Sequence, residues 1–176
     1  MLEIPILGEL EIDDFDDFLR SKPITVNVLG GEQFEFILEE YEEDRAKDEF
    51  HEAIENFLSL DYSVLRQAQD YIYQYYSNIF IKLTPDDDWY VEIASPNDVW
   101  KHIKFGYNPM VSRRPHGDEL VYISLACSCD WEQEHGLQIV FKQGLYINKV
   151  GPYNGHLTNS DAYGNDKLEN VIYCLA

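Results

Sequence analysis

The residues best equipped for chemistry stand together in one run, Cys127-Ser128-Cys129-Asp130-Trp131-Glu132-Gln133-Glu134-His135-Gly136-Leu137. It falls at an expected turn between two strands and gathers thiols, carboxylates, an imidazole and an indole. Cys127 and Cys129, two apart on an extended segment, share a face. With His135 on the returning strand they could converge on zinc, and His156 or Asp130 would supply the fourth ligand. The spacing is neither the Cys-x2-Cys nor the His-x3-His usual for structural zinc. Glu132 and Glu134 would point the same way on an extended chain and could act as a hydrolytic carboxylate pair, although the long cleft of a glycosidase is hard to build here. Cys129 could be a nucleophile with His135 as its base, but no helix start follows it to form an oxyanion hole. A structural reading explains the same run: Trp131 covers the end of a sheet, His135 and the acids satisfy backbone groups at a turn, and Gly136 permits a positive φ. Trp131 exposed among acids would instead suit protein recognition. No catalytic residue and no cofactor is assigned, and a binding protein is expected rather than an enzyme. A site at this turn, metal-binding or hydrolytic, facing the Gly151–Gly164 loop, is the alternative.

The elements that must position this run are legible from periodicity. Residues 4–12 read as two short strands around Gly8, followed by Asp13-Asp14-Phe15-Asp16-Asp17-Phe18, a polar connector with Phe15 and Phe18 as anchors. Ile24, Val26 and Val28 alternate with polar neighbours, Gly30-Gly31 turns the chain, and Phe34, Phe36 and Leu38 alternate on the return, which is a hairpin pattern. Ala46, Phe50, Ala53, Ile54 and Phe57 recur at helical spacing with Asp44 as N-cap. Tyr62, Leu65, Gln69, Ile72, Tyr76 and Ile79 do so in a second helix capped by Asp61. Trp89 to Ile93 reads as a short strand, and residues 97–105 fit helix or strand. Strands are expected at 120–129, 137–142 and 145–150, with a tight Gln143-Gly144 turn, and 168–175 is a strand or a helical turn. The expected class is α+β: one domain over residues 1–176, with an antiparallel sheet in the C-terminal half, N-terminal hairpins, and two helices packed on it.

Charge narrows the partners. The chain of 176 residues carries 33 acidic and 13 basic side chains, a formal net of −20. Residues 1–61 hold 19 acidic and 4 basic residues, while 62–176 hold 14 and 9, so the excess is concentrated at the front. Such a field repels phosphate backbones and anionic lipid, which argues against nucleic acid and membrane surfaces. It steers a basic protein instead. Asp13, Asp14, Asp16 and Asp17, with Glu39, Glu40, Glu42 and Glu43, are the expected steering rows; Tyr71, Tyr75 and Trp131 are the expected anchors. Cys127, Cys129 and Cys174 are odd in number, which fits a reducing compartment. The start of the chain has no basic region followed by an apolar run, so a cytoplasmic protein without a signal peptide is expected.

The run Cys129-Asp130-Trp131-Glu132-Gln133-Glu134-His135-Gly136-Leu137, continued by Gln138 to Phe141 and Val150-Gly151, resembles a family of uncharacterised bacterial domains. Those domains carry a Cys/Trp-Asp/Glu-x-Glu-His-Gly-Leu signature between two strands. The hairpin at Ile24 to Leu38, Glu52-Ala53-Ile54-Glu55-Asn56 and Tyr75-Tyr76 extend the likeness over most of the chain. The resemblance implies an immunity-type or accessory binding protein of a bacterial toxin system, an antitoxin-like module that masks a basic partner. It carries over no catalytic residue.

Overall fold

Alternation and turn chemistry lay down the strands first. The computed structural model describes residues 2–175. Strands β1 (Leu2–Ile4) and β2 (Gly8–Ile12) form the first hairpin, with Leu2 opposite Leu10. β3 (Leu19–Ser21) pairs antiparallel with β2 and with β6 (Ile37–Leu38), while β4 (Ile24–Val26) and β5 (Glu32–Phe34) make a separate two-stranded sheet. The expected hairpin therefore exists, but it is shorter than the alternation suggests. Val28 sits in a 3-10 turn over Asn27–Leu29, and Leu38 belongs to the larger sheet. Further along come β7 (Ile103–Lys104), β8 (Met110–Arg113), β9 (Val121–Cys129), β10 (Leu137–Lys142) and β11 (Tyr146–Gly151). The large sheet has nine strands, ordered β1-β2-β3-β6-β8-β9-β10-β11, with β7 also on β9. It is mostly antiparallel; β6 and β8 pair in parallel, Ile37 with Met110. With helices α1 (Lys47–Ser59), α2 (Arg66–Phe80) and α3 (Asn159–Tyr163), the class is α+β. No helix among the described residues is long and apolar enough to cross a membrane.

The chain groups into two compact units. The first comprises residues 1–64, 107–125 and 141–146, and the second 65–106, 126–140 and 147–176. In the first, α1 buries Phe50, Ala53, Ile54 and Phe57, the i, i+3, i+4, i+7 stripe of an amphipathic helix. Phe57 stands edge-on to Phe36 (6.1 Å between centroids) and to Phe141 (5.1 Å), the arrangement ring quadrupoles favour. The Gln143-Gly144 turn has positive φ at both positions, 53° and 70°, as a tight type I′ hairpin requires. Gly144 is also needed for space, because a Cβ there would lie 2.0 Å from the Ala53 carbonyl oxygen on α1.

In the second unit, α2 turns Ala68, Ile72, Tyr75 and Tyr76 inward. Leu65 and not Asp61 stands at the N-cap of this helix; Asp61, at the end of the first unit's 1–64 segment, accepts from Ser63 N–H (2.7 Å) at the head of a 3-10 turn, Tyr62–Leu65. Residues 97–105 resolve as a 3-10 helix, Pro96–His102, running into β7. Residues 168–175 form no strand: a 3-10 turn over Asp166–Leu168 leads into irregular chain.

Residues 89–93 are not a strand. Tyrosine hydroxyls replace the ladder. Tyr76 Oη donates to Val91 C=O (3.0 Å) and accepts from Ile93 N–H (2.8 Å), and Tyr73 Oη donates to Ile93 C=O (3.3 Å). A buried hydroxyl that serves both a carbonyl and an amide substitutes for a neighbouring strand. Tyr76→Phe should therefore cost about 1–2 kcal/mol, and hydrogen exchange at the Ile93 amide should accelerate well beyond the global change. Unchanged protection there would show that the segment is held by other means.

Candidate functional site

The acidic rows of the first unit come together through strand register. Leu19 at the start of β3 lies opposite Leu38 at the end of β6. The run that precedes Leu19 and the run that follows Leu38 therefore leave the sheet side by side. The Asp13–Phe18 connector is tightly organised: Phe15 N–H donates to Asp13 Oδ1 (2.8 Å), Phe18 N–H to Asp16 Oδ1 (3.1 Å), and Asp17 N–H to the Asp13 carbonyl (2.9 Å). Phe15, one of the connector's two expected aromatic anchors, is 97% exposed. Short-range hydrogen bonds from Asp13 and Asp16 fix the turn without help from a buried ring, so the phenyl is free to point outward.

The chain's own cations neutralise part of this charge. Arg20 lies on Asp13, with 2.8 Å between Nε and Oδ2, and on Asp16. Glu39 is half-buried, and burial together with its neighbour Glu40 pushes its carboxyl above the usual range. Asp14, Asp17, Glu40, Glu42 and Glu43 are exposed, and among the described residues no cation pairs with them.

Asp44 does not cap α1. Ala46 occupies the N-cap position, and Asp44 accepts from Ala46 N–H (2.7 Å) while its carboxylate is forked by Arg113, Nε to Oδ2 2.6 Å and Nη2 to Oδ1 2.9 Å. Arg113 also reaches Glu49 and the Glu119 and Ala46 carbonyls. These hydrogen bonds hold the Asp44 carboxyl below its ordinary range against the opposing effect of its burial. Arg113 thus ties the start of α1 to β8, an ion node the periodicity gives no sign of.

In the second unit the Cys129–His135 turn is largely internal. Cys127 and Cys129 do share a face, and both are buried. Burial pushes both thiols up, Cys129 to about 12, so neither is a ready thiolate. Cys129 Sγ donates to the Glu132 carbonyl (3.3 Å). Asp130 pairs with His102 (2.9 Å), and exposed His156 is engaged through its backbone, accepting from Gln138 and donating to Asn154. The zinc set that the spacing allows, Cys127, Cys129, His135 and His156 or Asp130, is not brought together among the described residues. The donors that do approach one another, within 4.8 Å, are Glu132, Glu134 and His135. Glu132 is buried and its oxygens already accept from Glu134 N–H (3.0 Å), His135 N–H (2.8 Å) and Tyr75 Oη (3.3 Å). It holds the turn closed much as a capping carboxylate closes a helix. Gly136, as expected, has positive φ, 66°, and a Cβ there would meet the Cys127 carbonyl at 2.4 Å.

Two of the expected partner anchors are inside. Trp131 is 0% exposed, with Tyr75 and Tyr76 edge-on to its ring at 6.0 and 5.9 Å. Tyr75 is buried, and its single hydroxyl proton is shared between Gly136 C=O (3.0 Å) and the Glu132 carboxylate (3.3 Å). Tyr71 is half-buried. A β-turn that packs its indole onto the inward face of α2 gains more from burial than from exposure, which is why the exposed-aromatic expectation fails here.

Above the turn lies a groove of about 530 Å³ lined by Ile79, Leu83, Trp89, Tyr153, Glu134 and His135, among others. Pro152 and Asn154 also line it, so the Gly151–Gly164 loop does face the turn as expected. Behind Asn154 sits Lys149, 1% exposed, which the sequence reading missed. Its Nζ donates to Gln138 Oε1 and to Asn154 Oδ1 (2.7 Å), both neutral oxygens. Burial lowers its ammonium to about 8. The signal was present in strand alternation, since Lys149 shares the inward register of Ile147 on β11.

A family model described as a domain of unknown function, DUF6985, matches residues 6–157, which takes in the Phe15 connector, α1, α2 and the Cys129–His135 turn. No curated protein and no solved structure matches the chain. With that much of its length matched, the chain belongs to the DUF6985 family, a domain of unknown function.

Proposed function

We propose that this chain is a protein-binding module of the immunity type, which masks a basic partner with the acidic end of its first unit. The observation that carries the reading is the fully exposed Phe15 on an ordered turn between Asp14 and Asp17, which leaves the sheet at the same end as the run from Glu39 to Glu43. An aromatic residue rimmed by unpaired carboxylates, on a backbone already hydrogen-bonded in place, has the composition of a binding hot spot with little left to order. The carboxylates accelerate encounter with a cationic surface, and the phenyl slows departure. The likeness of the Cys129–Leu137 signature to bacterial toxin-associated domains supports the same class of partner.

The test is a comparative pull-down from the native host at low and high salt. The protein is compared with Phe15→Ala and with the double variant Asp14→Lys/Glu42→Lys, all at exposed positions that should leave the fold intact. A basic protein should be retained at low salt and lost from both variants. With that partner purified, Phe15→Ala should raise the dissociation rate at least ~10-fold, and the charge reversal should mainly slow association. Retention of the same proteins by all three forms, or recovery of no basic protein, would remove the proposal.

A further inference from the structure

We infer that the groove above the Cys129–His135 turn is a binding site for a small amine carried on an apolar, aromatic stem. The inference is independent of the acidic-loop reading, because the groove belongs wholly to the second unit. Its volume, about 530 Å³, is that of a small-molecule site, and its walls are chiefly apolar: Ile79 and Leu83 from the end of α2 and beyond, Trp89, Pro152 and Tyr153. At the turn, Glu134 and His135 bring a carboxylate oxygen and a ring nitrogen within 4.8 Å of each other and of Glu132.

The roles at the turn differ. Glu132 is occupied with the turn's own N–H groups and Tyr75, so it fixes the geometry. The Glu134 carboxylate has no hydrogen-bond or ion partner among the described residues and is exposed. It is the acceptor available to an incoming ammonium, whereas His135 Nδ1 already lies 3.4 Å from Glu132 Oε2. An ammonium bound there would carry its stem along the Trp89 and Tyr153 rings, which attract a cation at their faces and bury its hydrocarbon. The only full positive charge on the lining is the exposed Lys82, and the chain as a whole is at −20, so the field favours a cation over an anion of the same shape.

The probes are phenethylamine, 2-phenylethanol and phenylacetate, which share one ring and differ in charge. Titrations of the full chain are followed by calorimetry and by amide shifts in two-dimensional NMR. Phenethylamine should bind saturably in the millimolar range or tighter, shifting amides of Glu134, His135, Tyr153 and Asn154. The alcohol and the acid should bind at least ~10-fold more weakly, a difference expected of one ammonium–carboxylate hydrogen bond that only the amine can make. Glu134→Gln should weaken the amine at least ~10-fold and leave the alcohol unchanged; Tyr153→Ala, at a partly exposed wall, should weaken both. Absence of saturable binding, equal binding of phenylacetate, shifts confined to other surfaces, or indifference to Glu134→Gln would each overturn the inference.

Discussion

Trp131→Ala lowers the stability of the protein by about 3–5 kcal/mol, whereas Trp131→Phe costs about 1–2 kcal/mol. The first figure follows from position. Trp131 is the largest of the fully buried side chains, and its ring fills the space between the edges of Tyr75 and Tyr76 on one helix. Removing it leaves a cavity that a two-turn stretch of α2 and a hydrogen-bonded β-turn cannot collapse to fill. The second figure follows from chemistry. The indole N–H has no hydrogen-bond acceptor among the described residues, so a phenyl ring in its place loses area but breaks no hydrogen bond and removes a dry donor. Urea denaturation of both variants checks the pair. If alanine is tolerated, Trp131 is not the keystone of the second unit; if phenylalanine costs as much as alanine, the N–H has a partner after all.

Between about pH 8 and 10.5 the protein gains about 3 kcal/mol of stability that a Lys149→Met variant does not gain. Lys149 is lowered to about 8 in the folded chain, chiefly by burial, from an ordinary value of 10.5. Below pH 8 both folded and unfolded chains hold the proton, and the folded chain bears the cost of a dry ammonium whose hydrogen-bond acceptors are neutral amide oxygens, with the Cys174 thiol near enough to favour the charge only slightly. As pH rises through 8 the folded chain releases its proton while the unfolded chain keeps it until about 10.5. In that window the unfolded state binds more protons, so stability rises with pH. The buried thiols of Cys127 and Cys129 and the buried phenol of Tyr75, all pushed up, act in the opposite direction. For that reason the wild-type curve must be read as a difference from Lys149→Met across pH 7 to 11. A difference that stays flat would mean that Lys149 is solvated through the Pro152–Asn154 loop, and the groove wall is then far more open than its hydrogen bonds suggest.

Much of the fold is readable because its causes are local. The α1 stripe from Phe50 to Phe57 and the α2 stripe through Ile72 and Tyr76 are set by 3.6-residue spacing, and both helices lie where the spacing puts them. The Gln143-Gly144 turn is determined by two adjacent residues able to take positive φ. Where the expectation failed, the deciding partner was far along the chain. Trp89 to Ile93 has the composition of a strand, yet its backbone groups are satisfied by tyrosines from α2. Asp44 has the look of a helix cap, yet it is held by Arg113.

The candidate site divides in the same way. Composition by itself determined the acidic front of the chain and the clustering of reactive side chains from Cys127 to His135, because both are properties of consecutive residues. Only the tertiary structure decided that Leu19 faces Leu38, which brings two acidic runs to one end of the sheet, and that Ile37 pairs in parallel with Met110. It alone turned Trp131 inward and Phe15 outward. Strand partners and burial depend on sums of weak contacts between segments remote in sequence, and no window of neighbouring residues contains those sums.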